Sequence, residues 1–359
     1  MGLIKLSKKS VAFFKDNQDK IFKTGKLAEG PWNDQLSKKI KKIANVKNAI
    51  PVNSNGSGLV ALLLIYKEYY GRSNIMIQSN TMYGVKTMTK TAGYNLVDII
   101  DCRIETLMPS YNDLKKALAN YKEETSKLLI MLSDIGGIIN PDIQKISKLC
   151  KEKNIILIED CAHSFGSILN NKFAGTFGNA GVYSYYSTKT IFAGEGGLVV
   201  TNDDNIGSLM KDFIAYDRFK QKMAIGCNIR LSEIQALMIY SVVKEYKEII
   251  KNKSKIAKSY IDACNSFKLK YIDQNKNFNQ GNYYKFTIIS PDKKISDLLP
   301  KLKTTTSKVY DYSLGNSKEI PSKHICLPIW YRLEDSILDK AIKEIKESVG
   351  VYFSGRTLR

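Results

Sequence analysis

Short apolar runs alternate with longer amphipathic stretches from Ala49 onward. The apolar runs have the length of strands, and the stretches between them show the spacing of helices that bury one face. The apolar runs cover residues 75–77, 96–100, 128–132, 155–158, 181–186 and 198–200, and the helical patterns cover 57–70, 110–120 and 143–152. Strands separated by helices predict βαβ units, so we expect an α/β fold whose central sheet is mostly parallel and flanked by helices.

The pattern is different at the two ends of the chain. Residues 1–48 are polar and rich in lysine, with helical spacing around Leu36, Ile40 and Ile43. After residue 230 a long helical pattern (232–263) is followed by a strand-like segment (283–289) and a closing helix (335–352). We therefore expect a large domain of residues 1–245, with residues 1–48 as an N-terminal arm, and a smaller C-terminal α+β domain of residues 246–359.

Composition narrows the class of protein. The 359 residues are 43% hydrophobic and 25% charged, which indicates a globular chain. The net charge is +20, but 48 of the 55 basic residues are lysine, spread along the chain, and only 7 are arginine. Because arginine is favoured for reading phosphates and bases, we interpret the charge as a solvated surface that could also attract an anionic small molecule, and expect no nucleic-acid partner.

The cysteines and the apolar segments bear on the compartment. The six cysteines form no CxxC pair, and the chain has only two histidines, so we expect neither a metal site nor a disulfide framework. No stretch approaches the ~20 apolar residues of a membrane helix, and no signal region follows the N-terminal lysines. These features predict a cytoplasmic protein without membrane association.

Three segments carry candidate chemistry. Residues 53–58 (NSNGSG) open an apolar helix, where backbone N–H groups suit a phosphate. Asp160 follows the apolar run 155–158, and Ser184 and Lys189 follow the next run, before the glycine cluster 194–197. Each segment alone is more typical of an ordinary structural feature: a helix cap or turn at residues 53–58 and at Asp160, and a structural lysine at Lys189. In this order, however, they supply what pyridoxal phosphate requires: phosphate donors, a carboxylate for the ring nitrogen, and an amine for the aldehyde.

At these residues the sequence resembles the DegT/DnrJ/StrS family of sugar aminotransferases. The resemblance is densest over residues 154–203, which contain an EDCAH segment, a GTFG turn (175–178), the lysine motif and a GEGG turn (194–197). Further matches are GPW (30–32), GCNIRLSEIQA (226–236) and LPIW (327–330). The resemblance implies the fold of type I pyridoxal-phosphate-dependent transferases, with a large domain and a smaller C-terminal α+β domain.

The resemblance also implies roles for individual residues. Lys189 would hold the cofactor as a Schiff base and shuttle protons, and Asp160 would pair with the pyridinium nitrogen. His163 would contact the 3-oxygen of the ring, and Asn228 would reach the phosphate of the neighbouring subunit in a homodimer with shared active sites. For His163 and Asn228, bracing of the local turn stays an alternative. The phosphate ligands would be Ser57, the backbone N–H of Gly58, and Ser184.

Two segments depart from the family pattern. An aromatic residue usually stacks on the cofactor after a threonine; here Met82 has that position and Tyr83 comes next, and we favour Met82. Residues 212–226 (DFIAYDRFKQKMAIG) are shorter than, and different from, the loop that usually contacts the substrate.

The activity implied is transfer of an amino group from glutamate to a nucleotide-linked keto-deoxysugar, through the pyridoxal (PLP) and pyridoxamine (PMP) forms of the cofactor. Such a reaction would serve the biosynthesis of amino sugars for surface polysaccharides or glycoconjugates. A related dehydratase branch has histidine at the position of Lys189, which argues against that branch here. Transamination of a ring ketone without a nucleotide, and a regulatory homologue that binds PLP without turnover, stay as alternatives.

Overall fold

A computed structural model describes residues 5–216, 224–276, 278–304 and 306–354, with backbone only for residues 351–354. The helices are α1 (Lys8–Thr24), α2 (Pro31–Ala44), α3 (Asn55–Tyr70), α4 (Tyr83–Thr91), α5 (Tyr111–Asn120), α6 (Ile143–Glu152), α7 (Asp204–Ile214), α8 (Glu233–Val243), α9 (Tyr246–Ser266), α10 (Ile295–Leu298) and α11 (Asp335–Ser354). The strands are β1 (Asn48–Val52), β2 (Asn74–Gln78), β3 (Asn95–Ile100), β4 (Leu128–Ser133), β5 (Ile156–Cys161), β6 (Ile168–Leu169), β7 (Lys172–Phe173), β8 (Ala180–Ser184), β9 (Gly197–Thr201), β10 (Lys270–Tyr271), β11 (Asn279–Gln280), β12 (Phe286–Ile289) and β13 (His324–Leu327).

Seven strands form the central sheet in the order β1-β9-β8-β5-β4-β2-β3. Strands β8, β5, β4, β2 and β3 pair in parallel, while β9 runs antiparallel to both of its neighbours. Every residue of β4, β5 and β8 is buried, because helices cover both faces of the sheet. The predicted α/β fold with a mostly parallel sheet is confirmed.

The six predicted apolar runs each overlap a strand of this sheet, although run 155–158 begins one residue before β5 and run 181–186 ends two residues after β8, and the helical pattern 143–152 is α6 without change. Helix α1 and the edge strand β1 were not predicted. The single helix predicted over 232–263 is wrong in one respect: it is two helices, α8 and α9, separated at Lys244 and Glu245. The hydrophobic spacing continues across this break because both helices bury apolar side chains, α8 in the core of the large sheet and α9 in that core at Ile249 and in a second core from Ile256 onward.

The last third of the chain has a core of its own. Strands β10, β12 and β13 form an antiparallel sheet against which α9 and α11 pack, with apolar residues drawn from positions 256–349. A third, small sheet has the order β11-β6-β7 and ties residues 279–280 back to the region after β5. A domain division near residue 245 stays a prediction, which this separate core supports. Within the described ranges, every helix is too short or too polar to cross a lipid bilayer.

Helix α3 is held against the middle of the sheet. Its first turn is capped by Ser54, whose hydroxyl accepts a hydrogen bond from the Ser57 N–H at 3.1 Å, and it ends at Gly71 in the left-handed conformation (φ 63°). A Cβ on Gly58 would lie 2.9 Å from Val182 Cγ1 and 3.0 Å from Val199 Cγ2. This close contact brings the start of α3 beside the carboxyl end of β8, where parallel α/β sheets bind ligands.

Candidate active site

Asp160 is a buried carboxylate near the carboxyl end of β5. Its Oδ1 accepts hydrogen bonds from Asn55 Nδ2 (3.1 Å) and the Ala162 N–H (3.2 Å), and its Oδ2 accepts one from Ser133 Oγ (3.0 Å). Burial raises the pKa of Asp160 above its ordinary value, while Asn55 and the positive charge of Lys189 oppose that rise. An ionised carboxylate offers about four acceptor positions, so these three bonds leave room for one more donor.

Lys189 lies in the turn that follows β8. Its Nζ is 5.0 Å from the centroid of the Tyr284 ring, and no carboxylate of the described residues lies within ion-pair distance. Burial lowers the pKa of Lys189 to about 8, and the charge of Asp160 opposes this only in part. At neutral pH a much larger fraction of this amine is unprotonated than for an exposed lysine, which is what a nucleophilic amine requires.

His163 is buried between the sheet and the C-terminal region. Its ring lies against Tyr284 (centroids 4.3 Å apart) and Tyr310 (5.9 Å), and Nε2 is 3.5 Å from the Tyr310 hydroxyl. Burial lowers the pKa of His163 well below its ordinary value, and Lys189 and Lys285 lower it further, so the ring is neutral. Its Nδ1 is buried and has no hydrogen-bond partner among the described residues. An unpartnered buried donor or acceptor is costly, which marks this atom as prepared for a ligand.

The predicted phosphate ligands come from α3 and β8, which meet at Gly197. In the β8–β9 pair Ser184 lies opposite Gly197, and a Cβ on Gly197 would be 2.4 Å from the carbonyl carbon of Ser54. The absence of a side chain at Gly197 thus lets the start of α3, with Ser57 in its first turn, approach Ser184. The N–H groups of a first helical turn have no partner within the helix, and they suit a phosphate.

The prediction for Gly58 needs a correction. Its N–H donates to the Ser54 carbonyl at 3.2 Å, as the fifth residue of a capped helix does, so this N–H is not a free phosphate donor. The role of Gly58 is packing, because its missing side chain lets α3 contact the sheet at Val182 and Val199.

Met82 and Tyr83 lie at the start of α4 and are both largely exposed. The preceding residue, Thr81, connects them to the site through a 2.8 Å hydrogen bond between its hydroxyl and that of Ser133. The ring of Tyr83 packs edge-on against Tyr312, with centroids 6.1 Å apart, and its N–H donates to the Tyr312 hydroxyl. Tyr83 is thus engaged with the C-terminal region, whereas the Met82 side chain lies against Gly84.

Asn228 is exposed, on the segment that precedes α8, and its Oδ1 accepts a 3.5 Å hydrogen bond from the Arg230 N–H. This contact fits a local brace and does not test the predicted role toward a second subunit. Residues 217–223, within the departing segment 212–226, lie outside the described residues.

Sequence reasoning missed several residues of the site. Asn55 and Ser133, which donate to Asp160, lie at a helix start and a strand end, so the strand-end rule used for Asp160 would have found Ser133. No local signal marks the residues that approach from the C-terminal part of the chain. They are Lys253, Asn282, Tyr284 and Tyr310.

The arrangement fits pyridoxal phosphate on three independent observations. Asp160 has spare acceptor capacity for a protonated ring nitrogen, and Lys189 offers an amine with a lowered pKa near it. The unpartnered Nδ1 of His163 is suited to the ring oxygen of the cofactor. Hydroxyls and the first N–H groups of α3 would serve the phosphate.

The sequence profile described as the DegT/DnrJ/EryC1/StrS aminotransferase family matches residues 9–312. The chain belongs to this family. The resemblance predicted from the motifs is thereby confirmed.

The protein is also similar in sequence to two named enzymes. It is 29% identical over 244 residues to the GDP-perosamine synthase of Escherichia coli O157:H7, covering 67% of this chain and 65% of that protein. It is 26% identical over 257 residues to the UDP-4-amino-4,6-dideoxy-N-acetyl-beta-L-altrosamine transaminase of Helicobacter pylori, covering 68% and 66%. The matched segments thus span slightly less than two thirds of these relatives.

Solved structures of other proteins have the same fold as this protein. A DegT/DnrJ/EryC1/StrS aminotransferase from Brucella abortus superposes with a TM-score of 0.85 at 20% identity, covering 98% of this chain and 100% of that chain. This likeness confirms the predicted fold of type I PLP-dependent transferases.

Proposed function

We propose that the protein is a PLP-dependent aminotransferase that moves an amino group from glutamate to a nucleotide-linked keto-deoxysugar in amino-sugar biosynthesis. The observation that carries the proposal is the pairing of an amine of lowered pKa, Lys189, with a buried carboxylate, Asp160, at adjacent strand ends. The substrate class is supported by the two relatives, which are named as a GDP-sugar synthase and a UDP-sugar transaminase.

In the proposed reaction, each residue of the site has its own role. The bound cofactor supplies the electron sink for a carbanion, and the protein supplies binding, orientation and proton transfer. Lys189 accepts and returns the proton at its Nζ in both halves of the reaction, and Asp160 keeps the proton on the ring nitrogen. His163 Nδ1 contacts the ring oxygen, while Ser57 and Ser184 bind the phosphate. We assign the stacking position to Met82, because Tyr83 is engaged with Tyr312.

The lysine at position 189 argues against the dehydratase alternative, since that branch has a histidine there. It also argues against a homologue without turnover, because Lys189, Asp160 and Ser184 are all present. A cytoplasmic location completes the proposal; it is supported by the six cysteines, all of which are unpaired, as in proteins of reducing compartments.

The test of the activity starts with purified protein. It should be yellow, and borohydride should fix the cofactor on Lys189, as mass spectrometry of the digested protein would show. A panel of nucleotide-linked 4-keto and 3-keto sugars with glutamate should then give one amino-sugar product and 2-oxoglutarate. Absence of product with the whole panel, from protein loaded with cofactor, would contradict the substrate class.

We further propose a homodimer in which Asn228 of one subunit reaches the cofactor phosphate of the other. The proposal rests on the exposure of Asn228 and of the apolar residues Met82 and Tyr186 near the site. The Asn228→Ala and Lys189→Ala proteins should each be inactive. When they are unfolded, mixed in equal amounts and refolded together, about a quarter of wild-type activity should return, since half of the dimers would be hybrids with one intact site of two. Recovery of no activity would contradict shared sites.

A further inference from the structure

Lys253 is a buried lysine without an opposite charge. It lies on α9, its exposed fraction is 3%, and no carboxylate of the described residues is within ion-pair distance. Its Nζ is 6.0 Å from the centroid of the Tyr284 ring, over which Lys189 also lies. Lysine is almost never fully buried unless it is paired, so this position has a cost that calls for a specific role.

A directed chain of hydrogen bonds runs from Lys253 into the site. Lys253 Nζ donates to Thr190 Oγ1 (3.3 Å), and Thr190 Oγ1 donates to Asn282 Oδ1 (3.3 Å). Thr190 is the residue after Lys189, and it is buried. The chain therefore connects α9 to the turn that carries the lysine of the proposed reaction.

Asn282 links these hydrogen bonds to the other side of the site. Its Nδ2 donates to the carbonyls of His163 (2.8 Å) and Phe165 (2.9 Å), and its Oδ1 accepts from the Tyr284 N–H (2.8 Å). His163 and Tyr284, whose rings lie against each other, are thus both anchored on one side-chain amide.

The direction of the chain depends on the chemistry of its first member. In its protonated form lysine has three donors and no acceptor, so the Thr190 hydroxyl can only accept from that form and turns its own proton toward Asn282. This in turn requires the oxygen of the Asn282 amide to face Thr190, and the nitrogen to face the two carbonyls. The two carbonyls and the Tyr284 N–H select the same orientation of the amide, so without Lys253 the Thr190 hydroxyl could turn away from Asn282 and the link between the Lys189 turn and this amide would be lost.

We propose that Lys253 is a positioning residue: by donating to Thr190 it fixes the Lys189 turn and, through Asn282, the His163–Tyr284 pair in one arrangement around the cofactor. The inference rests on the proposed function and deepens it. The charged and titratable groups around Lys253 and the Tyr284 ring are Lys189, Lys285 and His163, and the charge of Asp160 acts on Lys189. Burial, followed by the charge of Lys285, lowers the pKa of Lys253 to about 7, in keeping with the cost of the position.

The first test compares Lys253→Met with Lys255→Met, an exposed lysine on the same helix. In Lys253→Met, borohydride should still fix the cofactor on Lys189, but the pH midpoint of its visible absorbance should shift by about half a unit or more. The kcat should fall about tenfold, with KM for glutamate changed less than about twofold, because one hydrogen bond to a charged group is lost. Lys253→Arg, which keeps the donor, should restore part of the kcat, and Lys255→Met should match wild type.

The second test breaks the next link. Thr190→Val keeps the shape of the side chain and removes the hydroxyl, whereas Thr190→Ser keeps the hydroxyl; only the valine variant should shift the absorbance midpoint. This pair decides the question even when Lys253→Met does not fold. An unshifted midpoint in Lys253→Met, or equal behaviour of the two Thr190 variants, would overturn the positioning role. The absorbance measurement needs no sugar substrate, so its failure is distinguishable from failure of the proposed activity.

Discussion

The two sides of the candidate site come from different parts of the chain. One side consists of residues at strand ends of the central sheet, such as Ser133, Asp160 and Ser184. The other consists of residues of the C-terminal third, such as Lys253 and Tyr284, on segments whose neighbouring residues form a separate core. We propose that groups attached to the sheet provide the chemistry, and that residues of the C-terminal third, which pack against His163 and Lys189, contribute to the environment in which the lysine titrates.

His163 lies where the two sides meet. It follows β5 by two residues, yet both of its ring neighbours, Tyr284 and Tyr310, come from the C-terminal third. Its buried, neutral state is therefore a joint property of both sides. If this division is correct, loss of Lys189 or Asp160 on the sheet side should lower the reaction most, and substitutions on the other side should change its rate moderately and shift its pH dependence.

The largest effect is expected for Lys189→Ala. Removal of the amine proposed for the reaction should abolish covalent fixing of the cofactor and lower amino transfer by roughly 10⁴-fold or more, as loss of a general acid–base group does. Mass spectrometry after borohydride reduction and an assay of 2-oxoglutarate formation measure the two effects. The exposed Lys255→Ala is the control, and amino transfer retained by Lys189→Ala would refute the assignment.

Asp160→Asn should have the next largest effect. The neutral amide cannot stabilise a proton on the ring nitrogen, so transfer should fall about 10²–10³-fold while the cofactor still binds. Ser133→Ala, which removes one donor to Asp160 at 3.0 Å, should cost only about tenfold. Steady-state kinetics and cofactor absorbance would measure both variants. Equal losses in the two would mean that the charge of Asp160 is not what matters.

On the C-terminal side, Tyr284→Ala should change the pH dependence of cofactor loading. Burial holds the pKa of Lys189 at about 8, so loading of the cofactor-free protein should rise with pH around that value. Removal of the ring lets water reach the amine and moves its pKa upward, toward that of an ordinary lysine. Loading at pH 8 should then be slower, roughly fivefold for a rise of one unit in the pKa, because the unprotonated fraction of the amine falls from about half to about a tenth. Tyr284→Phe should load like wild type, and an unchanged midpoint in Tyr284→Ala would show that this side does not set the lysine pKa.

The smallest effect is expected at the contact between α3 and the sheet. Gly58→Ala places a methyl group about 2.9 Å from Val182 Cγ1, so we expect about 1–3 kcal/mol lower stability, with activity per folded molecule retained. Gly56→Ala, whose nearest neighbour is Met88 Sδ at 3.4 Å, should instead be neutral or stabilising by up to about 1 kcal/mol. Urea unfolding of both variants gives the comparison, and a stable Gly58→Ala protein would contradict the packing role.

The sequence predicted best those features that depend on neighbouring residues, and less well those that depend on hydrogen bonds and packing in the folded protein. Asp160 and Lys189 were found because each follows an apolar run, and the motif order added the rest of the assignment. The Gly58 prediction was wrong because a list of small residues does not tell which N–H groups the helix itself uses. The break between α8 and α9 was missed because the hydrophobic spacing is the same on both sides of it.

By itself the sequence determined the α/β class, the approximate positions of six strands of the central sheet and the family, and it indicated Lys189 and Asp160 as the candidate reactive pair. These follow from periodicity and from side chains placed at strand ends, and both are properties of neighbouring residues. Only the tertiary structure decided that Lys253, nearly a hundred residues from Asp160 along the chain, lies buried near the Tyr284 ring, and that His163 keeps a free nitrogen. Burial and titration depend on atoms brought together by packing, and no short segment of sequence records them.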